Sequence, residues 1–349
     1  MNKKVVIGIS GGIDSSMAAL LLKQQGYDVI GLHFSFNNEK YVDKVNEISS
    51  KLNIPVIVED ISYDFEKVKK HFASEYLKGR TPSPCTFCNR VIKWQKLIEF
   101  ADKNNCQFIS SGHYIRKTQY KGSYHLQKGA DPVKDQSYFL WELGPDIINR
   151  MITPLGDLTK KQIKQFAIEN GFIKLSETKE SMGVCFLKGQ DYRDFLKDFI
   201  PNEIKKIEPG IVKDIQGNTI GTHDGYVYYT VGQKRGLNLK TNASAYVLRI
   251  DSSLNELTVG KKDDLLHHFI RIKEFQFINP DNITEGLKLT VNIRGLGLNP
   301  LELATIKYIN SDSIELELKS PAWAVAPGQP VVFYDNDILL GGGIAENSW

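Results

Sequence analysis

The first hundred or so residues alternate short apolar runs with stretches of helical spacing. Val5 to Ile9 is an uninterrupted apolar-rich run, as expected of a strand covered on both faces. Asp14 to Gln25 has helical character and closes at Gly26. Asp28 to His33 reads as the next strand, Glu39 to Leu52 as a helix and Pro55 to Val58 as a third strand. A long helical stretch follows. Asn89 to Asn104 then repeats apolar residues at helical spacing (Val91, Ile92, Trp94, Leu97, Ile98, Ala101), and Gln107 to Ser110 forms a short strand. Strands alternating with helices of this length predict an α/β domain with a parallel, doubly wound sheet. Thr159-Lys-Lys-Gln162 has the form of a capping box, opening a helix that stops at Gly171.

The pattern changes after Pro201. A short, turn-rich segment runs to about Lys262, with a hairpin candidate at Asp214–Asn218. Beyond it, six segments alternate at strand period: 270–277, 287–293, 303–309, 313–318, 330–334 and 338–340. These predict a small β-barrel or sandwich. The expected division is an α/β head over residues 1–200, a small connector over 201–262 and a β-barrel over 263–349.

Composition narrows the class without naming a function. The 349 residues are 41% hydrophobic and 24% charged, ordinary globular values that argue against a disordered or fibrous chain. No apolar run approaches a membrane span, and the N-terminal run is too short for a secretory leader. Four cysteines in a chain this long do not make a disulfide scaffold, which points to a reducing cytoplasm. The net charge of +3 conceals an asymmetry. Residues 78–128 hold ten Lys/Arg (78, 80, 90, 93, 96, 103, 116, 117, 121, 128) against Glu99 and Asp102, hence +8, leaving −5 for the remainder. Such a block is either a phosphate-backbone footprint or a set of solvated helix faces.

Candidate chemistry begins at Ser10-Gly-Gly-Ile-Asp-Ser-Ser16, between the first strand and the first helix. Glycines there let the backbone approach an anion, the helix N-terminus aims N–H groups at it, and Ser10, Ser15 and Ser16 add hydroxyls. No lysine follows the glycines, which excludes the Gly-x4-Gly-Lys-Ser/Thr loop. A second motif is Thr81-Pro-Ser-Pro-Cys85-Thr-Phe-Cys88-Asn89. Cys88 is expected at the start of the following helix, where the dipole and Arg80, Arg90 and Lys93 favour its thiolate. The Cys-x-x-Cys spacing by itself fits a redox pair, half a zinc site or part of an iron–sulfur site. Cys185 lies far away between Val184 and Phe186, and Cys106 reads as packing. Gly112 and His113 follow a strand end, where parallel sheets bind ligands. Asp135-Gln136-Ser137 and the basic loop 232–237 are polar candidates without an assigned role.

The Ser-Gly-Gly-x-Asp-Ser loop resembles that of the PP-loop ATP pyrophosphatases. In order along the chain, it is followed by Thr-Pro-x-Pro-x-x-x-Cys-Asn, Gly-His-Tyr, Asp-Gln-Ser-Tyr-Phe-Leu, Pro-Leu-Gly, Val-Cys-Phe and Gly-Gln-Lys-x-Gly-Leu. The set resembles the tRNA-specific 2-thiouridylases over essentially the whole chain. That resemblance implies ATP-dependent 2-thiolation of the wobble uridine of glutamine, lysine and glutamate tRNAs. It implies that Gly8, Ile9, Ser10, Gly11, Gly12, Ile13, Asp14, Ser15, Phe34 and Gly112 bind ATP, with Mg2+ on its phosphates, and that Asp14 belongs to the catalytic set. Cys88 becomes the nucleophile and Cys185 the carrier of a persulfide, charged by a sulfur-donor protein (a cysteine desulfurase or a sulfur relay). Ser83, Pro84 and Cys85 meet the target base. His113, Asp135, Gln136, Ser137, Arg294, Gly295 and Gln329 touch tRNA.

The implied chemistry adenylates the uridine oxygen, after which sulfur displaces AMP and Cys88 can form a disulfide with Cys185. Where many members of that family carry Asp, this chain has Cys85. Cys85, Cys88 and Cys185 therefore also compose a possible 4Fe–4S ligand set. Three other classes remain: a PP-loop ligase acting on a small substrate, a tRNA-binding protein without catalysis, and a thioredoxin-like oxidoreductase through Cys85-x-x-Cys88, which the prolines before Cys85 disfavour.

Overall fold

A computed structural model describes residues 3–36, 40–178, 183–239, 245–293 and 299–349. Arg294 and Gly295 lie outside the described residues. The chain forms two compact units: residues 1–68, 85–181 and 337–340 in one, and 69–84, 182–336 and 341–349 in the other. Among the described residues no helix is long and apolar enough to cross a membrane.

In the first unit, β1 (Lys4–Gly8), α1 (Ile13–Gln24), β2 (Asp28–Ser35), α2 (Lys40–Leu52) and β3 (Val56–Asp60) alternate as expected. Helix α3 (Ser62–Leu77) passes into the second unit at Lys69. After α4 (Pro84–Cys88) come a π-helical turn (Asn89–Lys93), α5 (Trp94–Lys103), β4 (Phe108–Ser110), β5 (Ile115–Tyr120), β6 (Ser123–Lys128), α6 (Pro145–Arg150), β7 (Met151–Ile152) and α7 (Lys160–Glu169). The sheet order is β3-β2-β1-β4-β7, with every adjacent pair parallel. The strand order reverses beside β1, which is where open α/β sheets form their ligand crevice.

Both faces of the sheet are covered, which is why its central strand lacks alternation. Val5, Ile7 and Ile9 pack with Met17 and Leu22 of α1, Ile48 and Leu52 of α2, and Ile163 and Ala167 of α7. Helix α5 lies against β1 and β4, with Leu97 beside Gly8. The capping box forms: Gln162 N–H donates to Thr159 Oγ1 at 3.3 Å, and Thr159 N–H donates to Gln162 Oε1 at 2.8 Å.

Two local features differ from expectation. The helical run begins at Pro84 rather than Asn89, so Cys88 is not a helix start: its backbone is already helical, at φ −61° and ψ −41°. Proline supplies the fixed φ that opens a helix and lacks the N–H that would be orphaned there. The hairpin β5–β6 was not foreseen, because Ile115-Arg-Lys-Thr-Gln-Tyr120 carries too few apolar residues to show a period of two. It turns through Lys121 (φ 46°) and Gly122 (φ 84°), the two positive angles of a tight hairpin loop. His125 Nδ1 of this hairpin meets Leu339 O at 2.9 Å, and Gln127 registers with Ile338.

In the second unit, residues 210–260 form a five-stranded sheet over Val212, Val247, Leu257 and Val259. The hairpin at Asp214 is present, with Asp214 Oδ1 accepting from Gln216 and Asn218 N–H. The six expected strands form the barrel, as Leu266–Phe277, Lys288–Ile293, Ala304–Ile309, Ile314–Trp323, Pro330–Asp335 and Ile338–Ser348. It closes because Leu266–Phe277 pairs with both Ile314–Trp323 and Ile338–Ser348, which removes free edges. The last strand extends well past Leu340. A Cβ on Gly341 would lie 2.1 Å from Gln276 O, so the glycines that ended the apolar pattern are what let the strand continue.

Candidate active site

The expected ATP residues gather at the carboxyl edge of the parallel sheet: Gly8 ends β1, Phe34 is near the end of β2, and Gly112 follows β4. Between β1 and α1 the loop is organised by its own serines. Ser15 Oγ accepts from Ser10 N–H at 3.1 Å and donates to Gly12 O at 3.2 Å, while Ser16 Oγ donates to Gly12 O at 2.9 Å. Gly11 takes φ 79°, and Gly12 caps α1 with no side-chain acceptor on the first turn. That leaves the helix N-terminus suited to an anionic oxygen.

Gly112 presses on this turn from the β4 loop. A Cβ there would fall 2.6 Å from Ser15 N and 2.7 Å from Asp14 C, so only glycine fits. Two side chains that sequence reasoning missed converge on Asp14. The Tyr114 hydroxyl donates to Asp14 Oδ1 at 2.7 Å, and Lys160 Nζ reaches Oδ1 at 2.7 Å and Oδ2 at 2.8 Å. Lys160 is buried at the first position of α7, and its N–H donates to Asp131 Oδ2. Its place directly after the capping Thr159 was visible in sequence. Its pairing with a residue 146 positions away was not.

His113 Nδ1 lies 2.7 Å from Ser111 Oγ, and its ring sits beside Trp94. Part of the residue reaches the surface, yet enclosure of the imidazole, helped by the Lys93 charge, lowers its pKa to about 3. His113 is therefore neutral near pH 7 and suited to hydrogen bonding rather than charge pairing. Asp135, Gln136 and Ser137 are occupied internally. Asp135 Oδ1 accepts from Gly129 and Ser137 N–H, its Oδ2 accepts from Ser137 Oγ, and Gln136 Oε1 accepts from Tyr114 N–H. Ser137 is fully buried. The three hold the β5–β6 hairpin to the β4 loop.

Cys88 is buried, Cys85 half-buried, Cys106 buried and Cys185 exposed. Burial pushes the Cys85 thiol up, against the opposing charge of Lys93. In the second unit, Phe186 packs against Phe72 and Phe195, so the neighbour of Cys185 is anchored in an aromatic cluster. The segment leading to Cys85 is fixed by the turn at Pro327–Gln329 of that unit. Thr81 N–H donates to Pro327 O at 2.7 Å, and Gln329 Nε2 donates to Thr81 O at 2.8 Å and Pro82 O at 3.2 Å. Gln329 is thus buried against Thr81 and Pro82, where a tRNA contact was expected of it.

The basic window is less bare than its formal charge. Arg80 and Lys78 pair with Glu75, Arg90 with Glu142, and Lys96 with Glu59 and Asp64. Lys93, Lys103 and Lys121 remain exposed. Among the described residues no three His, Cys, Asp or Glu side chains gather as a metal site.

Comparison with known proteins agrees with this arrangement. The tRNA methyl transferase HUP domain matches residues 3–189, the tRNA methyl transferase PRC-barrel domain 193–261, and the aminomethyltransferase beta-barrel domain 267–345. The tRNA-specific 2-thiouridylase MnmA 2 of Phocaeicola vulgatus is 38% identical over 348 residues, 98% of each chain. The tRNA-specific 2-thiouridylase MnmA 1 of Caldanaerobacter subterraneus subsp. tengcongensis is 37% identical over 364 residues, 99% of this chain and 98% of its own. That of Clostridium acetobutylicum is 35% identical over 359 residues, 99% of each. The chain belongs to the tRNA-specific 2-thiouridylase (MnmA) family.

Two outcomes follow from this geometry. Gly112→Ala forces the first turn of α1 to move, because the obstructing atoms are backbone. ATP affinity measured by titration calorimetry falls at least about tenfold, equal to ~1.4 kcal/mol, while the far-UV spectrum is retained. Gln329→Ala leaves one buried and one part-buried carbonyl without their donor and lowers stability by about 1–3 kcal/mol in urea melts. The same substitution slows thiolation while tRNA affinity by filter binding is unchanged. A residue whose role was tRNA contact gives the opposite split.

Proposed function

We propose that this protein uses ATP to convert the wobble uridine of glutamine, lysine and glutamate tRNAs to 2-thiouridine. The observation that carries the reading is the lysine-free Ser10–Ser16 loop at the sheet's carboxyl edge on the same chain as one shielded and one exposed cysteine. A thiol loaded by another protein has to be accessible, as Cys185 is.

In this scheme the uridine O2 attacks the α-phosphorus of ATP and pyrophosphate leaves. The serine hydroxyls and the α1 N-terminus hold the leaving phosphates, and magnesium arrives with the nucleotide as their counter-ion. The terminal sulfur of a Cys185 persulfide then attacks C2, and AMP departs. The Cys88 thiolate attacks the Cys185 sulfur, the electron pair of the broken S–S bond passes to the sulfur on C2, and a Cys88–Cys185 disulfide forms. An external thiol reduces that disulfide, and a cysteine desulfurase or sulfur-relay protein reloads Cys185. Ser83 to Cys85 bear on the target base, and the exposed lysines of the basic window meet the phosphate backbone.

The alternative is a 4Fe–4S cluster held by the thiolates of Cys85, Cys88 and Cys185, with one iron left open for sulfide. No step is routed through a cluster. A ligase for a small substrate leaves both cysteines without work.

Thiolation in vitro with ATP, a sulfur donor and unmodified tRNA tests the reading. Cys88→Ala and Cys185→Ala each abolish 2-thiouridine formation, read by mass spectrometry of digested tRNA. Wild-type rates in both variants would overturn the mechanism. Iron retained after anaerobic purification and lost in Cys85→Ala would transfer support to the cluster.

A further inference from the structure

We propose that Lys93 is a catalytic residue that stabilises the negative charge arising on the target uracil as its O2 is activated. The inference rests on the thiolation reading above and adds to it a side chain that neither cysteine motif includes. O2 of a neutral uracil is a weak nucleophile. Loss of the N3 proton to solvent leaves its electron pair shared among N3, O2 and O4, and O2 then attacks the α-phosphorus as pyrophosphate leaves. A fixed cation beside the ring favours that anion and the transition state it leads to. N3 regains a proton from solvent once C2 carries sulfur. The role is the same whether a persulfide or a cluster brings that sulfur, because activation of O2 comes first.

Three cations border the cysteine motif, and two of them are already paired. Arg80 Nε lies 2.9 Å from Glu75 Oε2, and Arg90 pairs with Glu142 at 3.1 Å while lying over the Phe87 ring. Lys93 is exposed and pairs with no acid among the described residues. The backbone turns it toward the motif. Eight residues of plain α-helix would leave Lys93 about a quarter-turn past Cys85. Trp94 N–H instead donates to Asn89 O, five residues back, and the extra residue in that ring offsets most of the quarter-turn. Lys93 thus shares a face with Cys85, and helical side chains lean toward the N-terminus, which carries the ammonium back toward it. Its charge is felt at the Cys85 thiol and at the enclosed His113 imidazole. Those are two of the residues expected to meet the target base and tRNA. Lys103 and Lys121, the other exposed lysines of the basic window, act on neither. The alignment with Cys85 is what selects the base, rather than a backbone phosphate, as the partner of Lys93.

Single-turnover thiolation at saturating tRNA, with ATP and a cysteine desulfurase supplied with cysteine, provides the test, alongside filter binding of the same tRNA. Lys93→Met is expected to slow 2-thiouridine formation at least about tenfold while tRNA affinity stays within about twofold of wild type. Lys93→Arg retains part of the rate. A tRNA carrying 5-fluorouridine at the wobble position, whose N3 proton is more acidic, returns most of the rate lost in Lys93→Met. A structural defect or a lost phosphate contact does not allow that recovery. An unchanged rate in Lys93→Met, or a deficit that 5-fluorouridine leaves in place, overturns the proposal. So does a wild-type rate at saturating tRNA combined with weaker binding and a salt dependence reduced by about one ion, the mark of a phosphate contact. In each of these cases thiolation by the wild type leaves the function above standing. If the wild type forms no 2-thiouridine, that function fails and this inference with it.

Discussion

The close approach of Gly112 to the first turn of α1 is the contact around which the head is arranged. It brings the loop after β4 against the loop after β1 with no side chain between them. Neighbouring positions are then committed in turn. Tyr114, two residues on, reaches Asp14, and Gln136 receives the Tyr114 N–H. Asp135 and Ser137 tie the β5–β6 hairpin to the same place. The sheet supplies the rigidity. With β1 covered on both faces, its carboxyl end cannot tilt to relieve a clash, so the fit between the two loops has to be met by sequence.

The cysteines show a different use of the same principle. Cys85 and Cys88 follow a proline-stiffened segment whose carbonyls are held by Gln329 and whose Thr81 N–H is held by Pro327. Pro84 then opens the helix, and a π turn follows directly after Cys88. At the two ends of that turn, Asn89 Oδ1 and Trp94 Nε1 are buried without a hydrogen-bond partner. Such turns recur at functional sites, where the displaced residue matters more than the lost bond. Beside Cys185, the Phe186 ring is anchored against Phe72.

Much of the fold was legible because its signals are local. The apolar run Val5–Ile9, the capping box and the six barrel segments each announce themselves within ten residues. The hairpin β5–β6 was hidden because its strands are polar, and the helix start at Pro84 because apolar periodicity begins only at Val91. Family membership could be read from the order of short motifs, and the nucleotide loop from its glycines and serines. Lys160 and Tyr114 could not be found this way, since an ion pair between the first and seventh helices leaves no trace in spacing. The charge count misled in the opposite direction. Several of the basic residues in 78–128 meet acids from outside that window, so composition overstated the bare positive surface.

The last strand bears on how this protein could be taken apart. Its opening residues, with Asp337, belong to the first unit through His125 and Gln127, and the remainder closes the barrel of the second. The segment 69–84 is likewise lent to the second unit from within the head. No single cut therefore yields two self-sufficient pieces. A head ended near residue 181 lacks the strand start that meets its hairpin, and a fragment begun there lacks the segment that Gln329 holds. Each unit is assembled from separated stretches of one continuous chain, and the two have to be inherited together.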